Sequence, residues 1–459
     1  MRKRLWQLGS LLAIMTLTFA AGNMFLPADK AVTSRTLGHD FVAFYTAGTF
    51  VREGRTHDLY DLRKVADFQQ ALAINAGLDA QFSYESHRFG PWWNPPFYAW
   101  VFVPLAMLPF HQAVAVWTGL NVLALAGAVW MLVRMLAPRW MEHDAAGRLM
   151  DWKTLGLVPF LILLSMPFVQ AIGHGQNTLI SLCILCVVVK FWRCKRAILA
   201  GAFCALLGYK PQLAAVVACV LVFSLGFRAI VGLALVGSVM VLFTQWSMPG
   251  ALVDWLRQLS ANIRYMQIDH TYMWERHGTL KSFWRLLIQG RGAGELTWLT
   301  WLCYGASVLT LAGLLARAAW SHVRERKSID DTWGPATQKV WRDRLICATL
   351  CAAPLLMPFY FDYDLLLLAI PATLLAAEML TRPTLDLRDR WLLRLWVALY
   401  AWMLINPAIS SMTHVNGNVI LLSVIAVLMV QRSARPIAHH EPILLKDEPH
   451  AVKLHKRAA

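Results

Sequence analysis

Gly38-His39-Asp40 sets a carboxylate beside an imidazole, shortly after a long apolar run. A carboxylate at a membrane surface can take a proton from a hydroxyl nucleophile as general base. Asp is also a favoured N-cap, so Asp40 could equally open the helix that follows. Further polar interruptions break the apolar sequence. His174-Gly175-Gln176-Asn177 joins two hydrophobic runs; its side chains suit a sugar or a phosphate, and Asn177 suits a helix cap. Lys210-Pro211-Gln212 sets a cation between apolar runs, where it must snorkel or meet an anion such as a lipid-linked phosphate. Phe359 to Asp364 brings aromatics to the mouth of a span with two acids, Asp362 and Asp364. The acids could bind sugar hydroxyls, pair with Lys210 or help hold a divalent metal. The loop 248–293, with Arg257, Arg264, Asp269, Trp274, Glu275, Arg276 and His277, reads as a cover over a cavity. Taken singly, each of its residues reads as a solvated loop residue.

The elements that carry these residues are membrane spans. Of 459 residues, 58% are hydrophobic and 15% charged, and the mean hydropathy is +0.47. That is more apolar surface than a water-soluble exterior tolerates, and the apolar runs recur along nearly the whole chain. The net charge of +16 does not point to nucleic acid, because Lys and Arg fall in short blocks between apolar runs. The apolar stretch after Met1-Arg2-Lys3-Arg4, roughly 20 residues long, is read as an uncleaved first span with a cytoplasmic N-terminus. An external loop, 27–95, follows. Within it Phe41 to Glu53 reads as a helix closed by Gly54. Asp61 caps a second helix with Leu62, Val65, Phe68 and Leu72 on one face and Gly77 at its end. Both are expected at the membrane interface.

The expected fold is an all-α polytopic membrane protein of roughly 11–13 transmembrane helices. Residues 1–430 form one transmembrane domain and 431–459 a basic, disordered cytoplasmic tail. Arg193, Lys195 and Arg196, then Arg317 to Arg344, Arg382 to Arg394 and the tail assign one face to the cytoplasm. Every polar interruption then falls on the face that carries Asp40. One conflict remains: if 96–110, with Pro104 and Pro109, crosses fully, the parity fails at Arg193–Arg196. A re-entrant segment there would remove it.

The eight cysteines lie in or beside apolar runs and read as buried small hydrophobes, including the Cys183–Cys186 pair, with no disulfide framework. No P-loop, dinucleotide fingerprint, HExxH or G-x-S-x-G occurs. A transporter or lipid-carrier flippase is the rival reading; it would favour internal repeats and mid-membrane charges, neither of which the sequence shows.

The chain resembles glycosyltransferase family 87, among the polyprenyl-phosphate-sugar-dependent membrane glycosyltransferases of GT-C type. The resemblance rests on Asp40-Phe41 through Tyr45, Gly54, Leu59-Tyr60-Asp61 and Asn94-Pro95-Pro96. It continues with Pro104-Leu105-Ala106-Met107-Leu108-Pro109, Gly175-Gln176-Asn177 and Lys210-Pro211-Gln212. It implies a GT-C-like bundle in a bacterial inner membrane, with both termini cytoplasmic and the active site outside. It implies transfer of a hexose, with mannose as one candidate, from a polyprenyl phosphate to a lipid or glycan acceptor. Asp40 would be the general base and Lys210 the group facing the donor phosphate. His39, Tyr45, His174, Gln176, Asn177, Gln212, Asp362 and Asp364 would line the substrate site. No cofactor is required, and the acids could hold a divalent metal. The mannosyltransferase branch carries histidines near the outer end of a late span; Tyr360 to Asp364 carries none.

Overall fold

Proline and glycine decide where the helices of this chain stop. The computed structural model describes residues 38–78, 82–136, 152–325, 334–379 and 385–434, together with Ser10 and Ile14. The expected first span and most of the basic tail lie outside the described residues. Among the described residues the structure is all helical apart from two isolated bridges.

The loop that carries Asp40 folds as the pattern of caps predicts. Helix α1 is Phe41–Arg52 and ends before Gly54, whose φ is 71°. Helix α2, Leu62–Ala76, is opened by the Asp61 carboxylate, which accepts from the amides of Arg63 and Lys64. It is closed by Gly77 at φ 62°, a left-handed conformation glycine adopts without strain. The buried Gln69 amide holds Gly90 through both backbone groups, at 2.8 and 2.9 Å. This loop has its own aromatic core, in which Phe44 stacks on Phe102 (4.8 Å) and Phe41 on Trp117 (5.8 Å).

The segment 96–110 does not form a crossing helix. Pro96–Phe102 and Leu105–Met107 are 3₁₀ turns interrupted at Pro104, packed against α1. The packing is close: a Cβ on Gly48 would lie 2.5 Å from the Phe102 carbonyl oxygen. The segment that raised the parity conflict at Arg193–Arg196 is therefore not one continuous helix.

The bundle follows: α3 Phe110–Leu136, α4 Trp152–Leu163, α5 Met166–His174, α6 Thr178–Arg193, α7 Ala197–Leu206, α8 Pro211–Leu225 and α9 Phe227–Ser247. After the second loop, with α10 Ala251–Gln267 and α11 Leu280–Gln289, come α12 Trp298–Arg324, α13 Pro335–Leu356, α14 Ala369–Met379, α15 Leu387–Thr413 and α16 Gly417–Ser433. Among the described residues four helices are long and apolar enough by themselves to cross: Phe110–Met135, Phe227–Ser247, Trp298–Arg324 and Leu387–Thr413. Ala197–Tyr209, Pro211–Leu225 and Gly417–Ser433 are shorter apolar helices. Two breaks between helices have a local cause: Ser165 and Pro167 split α4 from α5, and Lys210-Pro211 splits α7 from α8.

Leu235, Val239 and Leu242 on α9 and Leu302 and Leu309 on α12 are exposed, as side chains meeting lipid would be. Exposed Trp246 and Trp298 lie at one end of these helices and Trp320 at the other, where amphipathic rings favour a membrane boundary. Helices α7 and α9 meet backbone to backbone: a Cβ on Gly201 would collide with the Ala229 carbonyl, and one on Gly232 with that of Ile198. Small residues permit this approach, the packing that operates where no hydrophobic drive separates helix from lipid.

Side-chain contacts mark the two ends. At one end Arg193 binds Asp343 (2.7 Å), Arg342 reaches the Arg193 carbonyl, Arg344 and Arg432 share Glu378, and Arg432 also binds Asp389. At the other end the Asp40 loop, the α5–α6 and α7–α8 turns, the second loop and residues 359–364 come together. All eight cysteines are free.

Candidate active site

Helix α5 is built to deliver residues 174–177. Ser165 caps it by accepting from the Phe168 amide, and Gly175, at φ 70°, ends it. The amides of Gly175 and Gln176 return to the carbonyls of Ile172 and Ala171. The turn lies directly on the Asp40 loop. Gly38 N–H donates to the Gly173 carbonyl and Asp40 N–H to that of His174, both at 3.0 Å. Trp117 Nε1 donates to the Gly175 carbonyl at 2.7 Å. A Cβ on Gly175 would sit 2.8 Å from Gly38 Cα, so the contact is available only to glycine.

Asp40 occupies the N-cap position of α1 but its side chain caps nothing. It turns to the other side, where Gln176 Nε2 donates to Oδ2 at 2.7 Å and His174 Nδ1 stands 3.4 Å away. Its side chain is 32% exposed against 8% for His174, so Asp40 is the member of this group that an incoming hydroxyl reaches first. Burial pushes the Asp40 carboxyl up. His174, His39 and the Gln176 hydrogen bond outweigh burial and hold it well below the usual 3.8. Asp40 is therefore ionised at neutral pH.

His174 continues the cluster. Arg276 Nη2 lies 3.4 Å from its Nε2, and the Arg276 guanidinium binds both oxygens of Asp362, at 3.0 and 3.1 Å. Burial opposes the charge on Arg276, but Asp362 and, less strongly, Asp40 hold it firmly protonated. The second loop is fixed in this position by its backbone. His277 pairs with Phe361 as an antiparallel bridge, Gly278 N–H donates to the Tyr360 carbonyl at 2.8 Å, and Asn416 Nδ2 reaches the carbonyls of Glu275 and His277.

Next to it, Lys210 is buried and paired. Its Nζ is 3.1 and 3.3 Å from the Asp364 oxygens, one of which also accepts from Thr178 Oγ1 at 2.7 Å. The backbone of Lys210, at φ −124° and ψ 79°, lies outside the helical region, as the following proline favours.

The structure brings Asp40, His174, Gln176, Asp362, Asp364 and Lys210 to one end of the bundle. His39 is adjacent, stacked on Phe82 at 5.2 Å. Asn177 is wholly buried and caps no helix; it donates to the Tyr98 hydroxyl at 2.9 Å, a supporting contact. Tyr45 does not join them: its hydroxyl donates to the Leu108 carbonyl and its ring meets Phe110. Gln212 sits half-buried in the first turn of α8 and makes no hydrogen bond to the cluster among the described residues. Arg276 had been read as one solvated loop residue among many. The signal for it was the pair of acids at 362 and 364, of which Lys210 can neutralise only one. No group of three metal-ligating side chains occurs among the described residues.

Helices with lipid-facing apolar surfaces, and an ionised polar cluster confined to one end, define a polytopic helical membrane protein with a polar site at its boundary. The family model for glycosyltransferase family 87 matches residues 92–330, and the chain belongs to that family. It is a membrane glycosyltransferase. The matched stretch includes His174, Gln176, Lys210 and Arg276, whereas Asp40, Asp362 and Asp364 lie outside it. No curated protein and no solved structure matches the chain.

Proposed function

We propose that this protein moves a hexose from a polyprenyl-phosphate donor to a lipid or glycan acceptor, with Asp40 as general base. The single observation that carries this reading is the Asp40 carboxylate: ionised, the most accessible acid of the cluster, and aimed by Gln176 and His174 rather than used as a helix cap. In the proposed step the acceptor hydroxyl gives its proton to Asp40 as its oxygen bonds to the anomeric carbon. The bond from that carbon to the phosphate oxygen breaks, and polyprenyl phosphate leaves. A single displacement of this kind inverts the anomeric centre. A carboxylate held this far down is a weak base, so proton transfer becomes favourable only as the hydroxyl acidifies in the transition state.

Arg276 and Lys210 are the cations placed to offset charge on the departing phosphate. Each is already paired, with Asp362 and Asp364, so what the phosphate meets is the field of an ion pair, weaker than that of a free cation. His39 lines the approach to Asp40. The basic residues at the far end of the bundle, Arg193, Arg342, Arg344 and Arg432, support a cytoplasmic placement of that end and an extracytoplasmic active site in a bacterial inner membrane. The purified protein in liposomes, offered polyprenyl-phosphate hexoses and nucleotide hexoses, tests the donor class. Transfer from the lipid-linked donors alone is expected; transfer from the nucleotide sugars alone would overturn it.

A further inference from the structure

Residues 274–285 hold positive charge that the Asp40 cluster leaves unused. Lys281 and Arg285 stand one turn apart on α11, on the same face. Lys281 Nζ is 4.8 Å from the centre of the Phe359 ring and 5.5 Å from that of Trp274; the Arg285 guanidinium is 5.8 Å from the Trp274 ring. Among the described residues neither cation meets a carboxylate. Arg285 spends two nitrogens on the carbonyls of Gly290 and Gly292, and the nearby Glu275 is taken by Arg291 at 2.9 Å. The aromatic faces stabilise the cations by about 0.5–2 kcal/mol each without neutralising them. Burial accordingly presses the Lys281 ammonium down from its ordinary value.

The same place carries buried polar atoms without partners. Trp274 Nε1 and Arg285 Nε are N–H donors with no acceptor, on side chains 3% and 1% exposed. His277, pushed down to about 3 by burial and by the charges of Arg276 and Lys281, is neutral and leaves Nδ1 unpaired. One orphan, Glu275 Oε2, is an acceptor. A cation in the first turn of a helix of ten residues, a second one turn further on and idle donors beside them suit an anion. The patch adjoins the cluster through aromatic contacts: Phe361 meets His277 at 4.1 Å and Arg276 at 5.9 Å, and His277 meets Phe359 at 6.2 Å.

We propose that Lys281, Arg285 and Trp274 form a phosphate-binding site that holds the headgroup of a polyprenyl monophosphate beside the Asp40 cluster. The proposal rests on the donor class argued above, and it adds to the field of Arg276 and Lys210 two cations that no carboxylate has claimed.

The test is calorimetric titration of the full-length protein in detergent with polyprenyl monophosphate, with neutral polyprenol as control and inorganic phosphate as competitor. Lys281→Gln is expected to weaken polyprenyl phosphate at least tenfold, which is about 1.4 kcal/mol. Lys281→Arg should bind within a few-fold of wild type, and polyprenol binding should be the same in all three. Competition by inorganic phosphate would mean that the headgroup alone suffices; its failure with lipid binding intact would mean that the chain must be attached. Either result supports the site. Lys281→Gln binding like wild type, or wild type binding polyprenol as tightly as its phosphate, would overturn it. The readout needs no turnover. Loss of binding in Lys281→Gln with no sugar transfer by the wild type would sink the donor reading and leave the phosphate site standing.

Discussion

Gly175→Ala should damage the active site through the backbone while Gly77→Ala, at an equivalent helix end, should not. Both glycines close a helix in the left-handed region, at φ 70° and 62°. An alanine pays about 1–2 kcal/mol there for its Cβ. At Gly77 nothing lies within 4 Å of the added carbon. At Gly175 the carbon would lie 2.8 Å from Gly38 Cα and 3.1 Å from Phe41 Cβ. Ordinary carbon contacts need about 3.5–4.0 Å, so Gly38 must retreat by roughly 1 Å. Gly38 and Asp40 hang on the 173–174 carbonyls, so the retreat moves the carboxylate away from Gln176. A misplacement of about 1 Å typically costs on the order of 100-fold in rate. Thermal unfolding and sugar transfer measured on both variants separate the two terms. The expected result is a similar loss of stability, somewhat larger for Gly175→Ala, with transfer reduced about 100-fold in that variant alone. Equal transfer by the two would refute the claim that this contact positions Asp40.

Other outcomes follow from the same geometry. Gln176→Leu removes a hydrogen bond that lowers the Asp40 carboxyl, so its pKa rises and the acid limb of the kcat/KM–pH profile moves to higher pH; an unmoved limb would mean that Asp40 does not govern it. Asp364→Asn leaves Lys210 buried without its counter-charge and should destabilise the protein by about 3–5 kcal/mol in chemical denaturation, with most of this recovered by the double change Asp364→Asn with Lys210→Met.

The fold was legible where local chemistry decides it. Asp61 and Gly77 bracket α2 as a capping rule requires, and the apolar runs became helices because lipid leaves a backbone no other partner. The grouping of Asp40, His174, Gln176, Lys210, Asp362 and Asp364 was legible too, since basic blocks and span parity place their turns on one face. Pairing within that face was legible only in part. The acids at 362 and 364 offer Lys210 a partner, and Asp364 is that partner, 154 residues away in sequence. Arg276 reaches Asp362 across 86 residues, and no local pattern encodes that contact. Tyr45 was misplaced for a different reason. Five residues of helix turn it about 140° from Asp40, to the Leu108 side of α1. The break within 96–107 follows from Pro104, which denies a continuous ladder to a segment apolar enough to be read as a span.

The most direct test of the account is sugar transfer by Asp40→Asn in the purified, lipid-reconstituted protein. Asparagine keeps the shape and still accepts from Gln176, but it cannot take a proton. Transfer should fall by about 100-fold to 10,000-fold, the contribution of a positioned general base, with polyprenyl phosphate still bound. Transfer at the wild-type rate would contradict Asp40 as the base.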